Sequence, residues 1–297
     1  MKRLELDPLW PESWKQSFSY DRMEVFGEIP PESLGYAYAY QARAENTLDL
    51  VRRSVPKGSR ILDVAAAQGN FTLLLAEAGY EVTWNDLRPE LAGYVRAKWE
   101  RGVVHYLPGN VLDLSGFRNE FDAVVIAEVI EHVARPDRFL RKISTLVKPG
   151  GAIVITTPNG EYFRNSLPRF SDCSDPSIFE ANQFRPDADG HIFLLHQDEI
   201  YRLASETGLR VSEVRMFTNL LTQGHLKSRI LLPVLPRKGV QAVEKITRRV
   251  PSFLRRKIHT HLAVLLRRQT SPGSSPVPRP LVSHQWAPSP QDPLRHP

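Results

Sequence analysis

RILDVAAAQGNFTLLLAEAGYEVTWND, from Arg60 to Asp86, is an apolar run, a turn of very small residues, a second apolar run and a third. Ile61, Leu62 and Val64 predict a short buried strand, and Phe71 to Ala78 the helix after it. Between them Ala65, Ala66, Ala67 and Gly69 carry almost no side chain, so a ligand can approach the backbone closely. Free N–H groups at the helix start would face that ligand's polar end. Glu81 to Asn85 predict a second strand that delivers Asp86 about twenty residues beyond the turn, where a carboxylate accepts hydrogen bonds from ribose hydroxyls. Such a unit suits a nucleoside. The G-x-G-x-x-G loop of dinucleotide sites and the Gly-Lys-Ser/Thr of triphosphate sites are both missing, which argues against a bulky phosphate.

Downstream, strands and helices keep alternating. Val103 to Leu107 predicts a third strand, followed by Gly109-Asn110-Val111-Leu112-Asp113; Phe121 to Ala127 predicts a fourth, and Ala152 to Thr156 a fifth. Pro136 to Leu146 reads as a helix with Pro at its start, and Lys148-Pro149-Gly150-Gly151 as a turn. This order implies an α/β fold with a doubly wound, mostly parallel sheet, whose ligands lie beyond the carboxyl ends of the strands. Leu209 to Val214 alternates as an edge strand.

Asp63-Val64-Ala65-Ala66-Ala67-Gln68-Gly69 resembles the first motif of class I S-adenosylmethionine-dependent methyltransferases, with alanine at two of that motif's three glycine positions. From Tyr36 to Asn219 the order of elements is similar to that family, including its type 11/12 group, which implies a seven-stranded Rossmann-like sheet and S-adenosylmethionine as cofactor. The resemblance implies that Asp63, Ala65, Ala67, Gly69 and Asp86 hold the cofactor, with Asn110 and the Val111 backbone at the adenine edge. Tyr36, Tyr38, Tyr40 and Arg43 resemble the lead-in that covers the cofactor in such enzymes, with an arginine near its carboxylate; packing of an aromatic face on the sheet is the simpler alternative.

Glu128-Val129-Ile130-Glu131-His132 follows the fourth strand. On a helical turn the spacing puts Glu128, Glu131 and His132 on one face, where they could orient and deprotonate an acceptor or hold Mg²⁺ or another divalent metal. The pattern resembles the ubiquinone-biosynthesis O-methyltransferases and the small-RNA 3′-terminal 2′-O-methyltransferases. In the RNA group a histidine from the region of Gly190 to His196 completes the metal site, which carries over to His191; a capping or core role for His191 is the alternative. The expected reaction is methyl transfer to an oxygen of a small or lipid-linked acceptor. A metal-dependent RNA 2′-O-methyltransferase and a non-catalytic scaffold of the same fold are the rival readings.

Charge is unevenly distributed. Residues 226–297 hold 14 Lys+Arg against 2 Asp+Glu, whereas residues 1–225 hold 25 against 31. Val250, Phe253, Leu254, Ile258, Leu262, Leu265 and Leu266 recur near helical spacing among arginines, which predicts a basic amphipathic helix on an anionic membrane surface through 226–268. Nucleic acid is the competing partner for that charge, but Phe253 is the only ring among these residues, where single-strand binders use stacking platforms. The organisation expected is an amino-terminal arm or lid (1–35), a methyltransferase domain (36–225), a basic helical extension (226–269) and a Pro/Ser-rich tail (270–297). A single cysteine, Cys173, and the lack of a signal sequence or apolar membrane span predict a cytoplasmic protein, free or peripheral on the inner face of a membrane.

Overall fold

The computed structural model describes residues 1–183, 190–225 and 228–270. Its helices are α1 (Glu12–Glu24), α2 (Leu34–Ser54), α3 (Asn70–Glu77), α4 (Leu91–Lys98), α5 (Pro136–Leu146), α6 (Gln197–Glu206), α7 (Arg237–Thr247) and α8 (Ser252–Ile258). Its strands are β1 (Arg60–Val64), β2 (Glu81–Asn85), β3 (Val103–Tyr106), β4 (Phe121–Ala127), β5 (Val147–Pro158), β6 (Leu209–Asn219) and β7 (His259–Arg268).

The strands form one seven-stranded sheet in the order β3-β2-β1-β4-β5-β7-β6. Strands β3, β2, β1, β4 and β5 run parallel to one another, and β7 runs antiparallel to both β5 and β6. The doubly wound, mostly parallel fold expected from the sequence is therefore present. Strand order reverses between β1 and β4, and that reversal opens a crevice at their carboxyl ends. One core layer joins the sheet to α5 and α6 through Phe139, Leu140, Ile143, Ile200 and Leu203; the opposite layer joins it to α2 and α3 through Leu50, Val51 and Leu75.

The carboxyl-terminal reading is corrected. The amphipathic helix expected across Val250 to Arg268 stops at Ile258, and His259–Arg268 is the seventh strand of the sheet. Leu262, Val264 and Leu266 face one core layer while Ala263 and Leu265 face the other, so every residue of the run is buried in the alternating manner of a central strand. Helical spacing of the leucines concealed this, because a run apolar at every position satisfies both periods. Arg267 and Arg268 bond back to the fold: Arg267 Nη1 donates to the Ser54 carbonyl at 3.1 Å, and Arg268 to Asn119 and the Val147 carbonyl. The sheet thus draws on the stretch expected to be an extension beyond residue 225. Of the tail expected from 270, residues 271–297 lie outside the described residues.

The expected amino-terminal arm, residues 1–35, is built around a helix. It contains α1, which starts after Pro11 and packs Trp14 edge-on against Tyr94 of α4 at 5.5 Å between ring centroids. Asp21 of α1, fully buried, accepts hydrogen bonds from Asn70 Nδ2 (2.8 Å), Tyr94 Oη (2.7 Å) and Lys98 Nζ (2.7 Å). Lys98 is buried too, so this is an ion pair removed from water that ties α1 to the first residue of α3 and the last of α4.

Candidate active site

The turn after β1 has a backbone that explains its composition. Ala65, Ala67 and Gly69 all have positive φ, at 52°, 47° and 72°. Left-handed geometry costs an L-residue roughly 1–2 kcal/mol, so the two alanines hold a shape that glycine adopts freely. At Gly69 no alternative exists, because an added Cβ would lie 2.7 Å from Val95 Cγ2 of α4. The turn is braced from outside: Trp84 Nε1 donates to the Ala67 carbonyl at 3.0 Å, and Ala66 N–H to the Asn85 carbonyl at 2.8 Å. Ala65→Gly and Ala67→Gly are each expected to raise stability by about 0.5–1 kcal/mol, the relieved strain less the added entropy of the unfolded chain, read as a higher urea midpoint.

Asp63 is placed differently from expectation. Its carboxylate is buried and accepts from Thr72 Oγ1 at 2.6 Å, so it pins α3 to β1 rather than reaching the crevice. Burial pushes its carboxyl up to about 7, against the pull of the Thr72 hydrogen bonds. Asp86 does reach the crevice edge. One oxygen accepts the Ala67 N–H at 2.8 Å; the other accepts Arg88 N–H at 2.9 Å and Arg88 Nε at 3.0 Å. Ribose hydroxyls arriving at this carboxylate would compete with the half-exposed Arg88 side chain, a residue the sequence reading missed. Asn110 caps the short 3₁₀ turn Val111–Asp113 by accepting the Leu112 N–H at 3.0 Å, which orients its amide oxygen and leaves a lone pair for an adenine amine. Asn85 fixes the same loop by donating to the Leu107 and Gly109 carbonyls at 2.7 and 3.0 Å.

Helices α1 and α2 cover the other end of the crevice. Glu24 of α1 accepts from Gln68 Nε2 (3.0 Å), Asn70 Nδ2 (2.9 Å) and the Tyr36 hydroxyl, linking the β1 turn to α2. Arg43 Nη2 pairs with Glu128 Oε2 at 3.0 Å.

The Glu128 to His132 cluster divides in two. Glu128 has positive φ (56°) and the helical part is only the 3₁₀ turn Ile130–His132, so Glu128 points to Arg43 instead of joining Glu131 and His132 on one face. Glu131, His132 and His191 do converge, with ligand atoms within 4.8 Å of one another. The segment bearing His191 is drawn in by the Glu131 carbonyl, which accepts the Ile192 N–H at 2.7 Å. Glu131 is fully buried; Oε2 accepts from Thr157 Oγ1 at 3.0 Å while Oε1 has no hydrogen-bond partner. Burial and the neighbouring Glu128 raise its carboxyl well above the ordinary range. A carboxylate oxygen lacking a partner, beside two imidazoles, is a donor set that fits a divalent cation.

His261 was hidden in the run taken for a helix. It lies on β7 with Nε2 3.7 Å from Glu128 Oε2, and burial pushes its imidazole down to about 4 despite the pull of Glu128. The alternation His259-Thr260-His261 is the signal that could have placed it on a strand facing the crevice.

Residues 36–214, well over half of the chain, match the family model described as a methyltransferase domain, and the chain belongs to that family. Ubiquinone biosynthesis O-methyltransferase of Xanthomonas axonopodis pv. citri (strain 306) is 39% identical over 110 residues, 36% of this chain and 46% of the relative. The protein of the same name from Xanthomonas campestris pv. campestris (strain B100) is 38% identical over 143 residues, 42% of this chain and 60% of the relative. The chain thus spans about half the length of the curated relatives it matches. Among solved structures, the [4+2]-cyclase SpnF aligns with TM-score 0.53 and 17% identity over 89% of this chain and 98% of its own. A chain from the complex of the Haloferax volcanii Trm112 methyltransferase activator with a methyltransferase gives TM-score 0.53 and 16% identity over 88% and 100%. At such identities the likeness is one of fold, and a cyclase on this fold shows that the fold alone does not name the reaction.

Proposed function

We propose that the protein transfers a methyl group from S-adenosylmethionine to an oxygen of a small or lipid-linked acceptor, at the inner face of a membrane. One observation carries the cofactor reading: three alternate residues of the β1 turn keep left-handed backbone although two are alanines, with a carboxylate at the end of β2 bonded to that same turn. Bearing strain at Ala65 and Ala67 is what a turn shaped for a ligand rather than for stability would show. Gly69, the Ala65 and Ala67 backbone, Asp86, Asn110 and Val111 would hold the nucleoside, with Asp63 acting through Thr72 to position the turn.

When bound, the cofactor supplies an electrophilic methyl group. The chain's own contribution is then orientation and exclusion of water, to which α1 and α2 contribute by covering the crevice. Glu131, His132 and His191 would receive the acceptor hydroxyl; a divalent cation on them would supply Lewis acidity that lowers the hydroxyl's pKa. Glu128 would orient this region through Arg43 and His261. Oxygen as the acceptor atom is supported by the name of the two curated relatives and by this donor set, which suits hydroxyls.

The test is calorimetry with S-adenosylhomocysteine, followed by methyl transfer to hydroxylated acceptors with and without chelator. Binding in the micromolar range is expected. Glu131→Ala should reduce turnover by about a hundredfold or more while leaving S-adenosylhomocysteine binding within about twofold. A folded protein that does not bind S-adenosylhomocysteine would falsify the reading, and activity indifferent to both chelator and Glu131→Ala would remove the metal from it.

A further inference from the structure

We propose that the segment from Ile230 to Ile258 is a docking surface for an anionic lipid bilayer, set at the rim of the crevice. It deepens the proposed function and rests on it, because it says how a lipid-linked acceptor reaches the site.

Ile230, Leu231, Val234, Ile246, Phe253 and Leu254 are all exposed, Ile230 and Phe253 to 73% and Ile246 to 65%. Large apolar side chains exposed this densely within one stretch of chain mark a contact site rather than ordinary scatter. Between them stand the exposed cations Lys245, Arg248, Arg249, Arg256 and Lys257, long side chains that can bury their stems while keeping their charge in water. The single carboxylate of the segment, Glu244, is turned inward to Asn219 and Thr222. Arg248 is paired with Glu244 at 3.7 Å and Arg256 with Glu161 at 3.6 Å, so an anionic headgroup layer would meet chiefly Lys245, Arg249 and Lys257 among the apolar tips, and this complementarity favours a bilayer over a neutral protein face. Stacked nucleic-acid bases are disfavoured, since Phe253 is the only aromatic ring from 228 to 258.

Position adds the functional part. The Arg256 and His259 carbonyls flanking the end of α8 accept from Asn159 Nδ2 at 2.7 and 2.8 Å, and the Lys257 carbonyl accepts the Phe163 N–H at 3.1 Å. Asn159 directly follows β5, the strand whose Thr157 donates to Glu131. Helix α8 is thus fastened to the segment that lines the acceptor end of the crevice.

The test is co-sedimentation of the full chain with phosphatidylcholine vesicles prepared with and without phosphatidylglycerol, beside a titration with single-stranded RNA. Partitioning onto the anionic vesicles should exceed that onto neutral ones by about tenfold or more. Phe253→Glu with Leu254→Ser, and separately Lys245→Glu with Arg249→Glu, should each lower it by about tenfold, with melting temperature and S-adenosylhomocysteine affinity unchanged. Absence of vesicle binding, or loss in the charge variant alone together with tight RNA binding, overturns the proposal. Because S-adenosylhomocysteine binding is measured on the same samples, failure of the docking surface is distinguishable from failure of the methyltransferase reading.

Discussion

Asp21→Ala is expected to destabilise the protein by about 3–5 kcal/mol, because it strands the Lys98 ammonium in a site 1% exposed. In a chain of this size that lowers the melting temperature by on the order of 10 °C. Lys98 retains the Asn70 side-chain amide oxygen at 2.7 Å and the Tyr94 ring at 5.0 Å, neither of them a charge, while Tyr94 and Asn70 each lose an acceptor. Burial already lowers the Lys98 pKa, and removal of Asp21 lowers it further. A lysine with a depressed folded pKa weakens the fold as pH falls through that value, so the deficit of the variant should be largest near neutral pH and shrink toward pH 10. Urea denaturation at both pH values measures this. A deficit under about 1 kcal/mol would mean that α1 is not anchored by the pair.

Asp86→Ala carries the largest expected effect on ligand binding. Two ribose hydroxyls donating to one carboxylate are each worth about 1.5–3 kcal/mol, partly offset here by the Arg88 contact that must be given up. The net expectation is a loss of about 3 kcal/mol, a hundredfold or more in S-adenosylhomocysteine affinity. Asp86→Asn should fall between, since an amide can still accept the Ala67 N–H while presenting no charge. Arg88→Ala should move affinity the other way. If Asp86→Ala binds S-adenosylhomocysteine as tightly as the unaltered protein, the sugar is held elsewhere.

The parallel half of the sheet was legible because its strands carry compact apolar stretches separated by helices, so the β1, β2 and β4 assignments followed from pattern alone. The β1 turn was legible for a different reason: its residues are small where the backbone must turn left-handed, even at Ala65 and Ala67. Asp63 was misplaced because a motif gives an order of residue types but not the direction of a side chain, and here the Thr72 hydroxyl captures the carboxylate. Glu128 was singled out but expected on one face with Glu131 and His132, since spacing arguments assume regular helix, whereas its positive φ turns it toward Arg43. The clamp of Asp21, Glu24, Asn70 and Lys98 joins residues far apart in sequence, and no local pattern announces such a contact.

The position of β7 bears on how the protein is made. Strands β5 and β6 each give one edge to a partner that comes after both of them along the chain. Until His259–Arg268 has left the ribosome, the nascent sheet presents two open rows of peptide groups flanked by apolar surface. Synthesis therefore passes through an interval in which most of the fold exists but cannot close, and that interval is when the growing polypeptide would most need a chaperone.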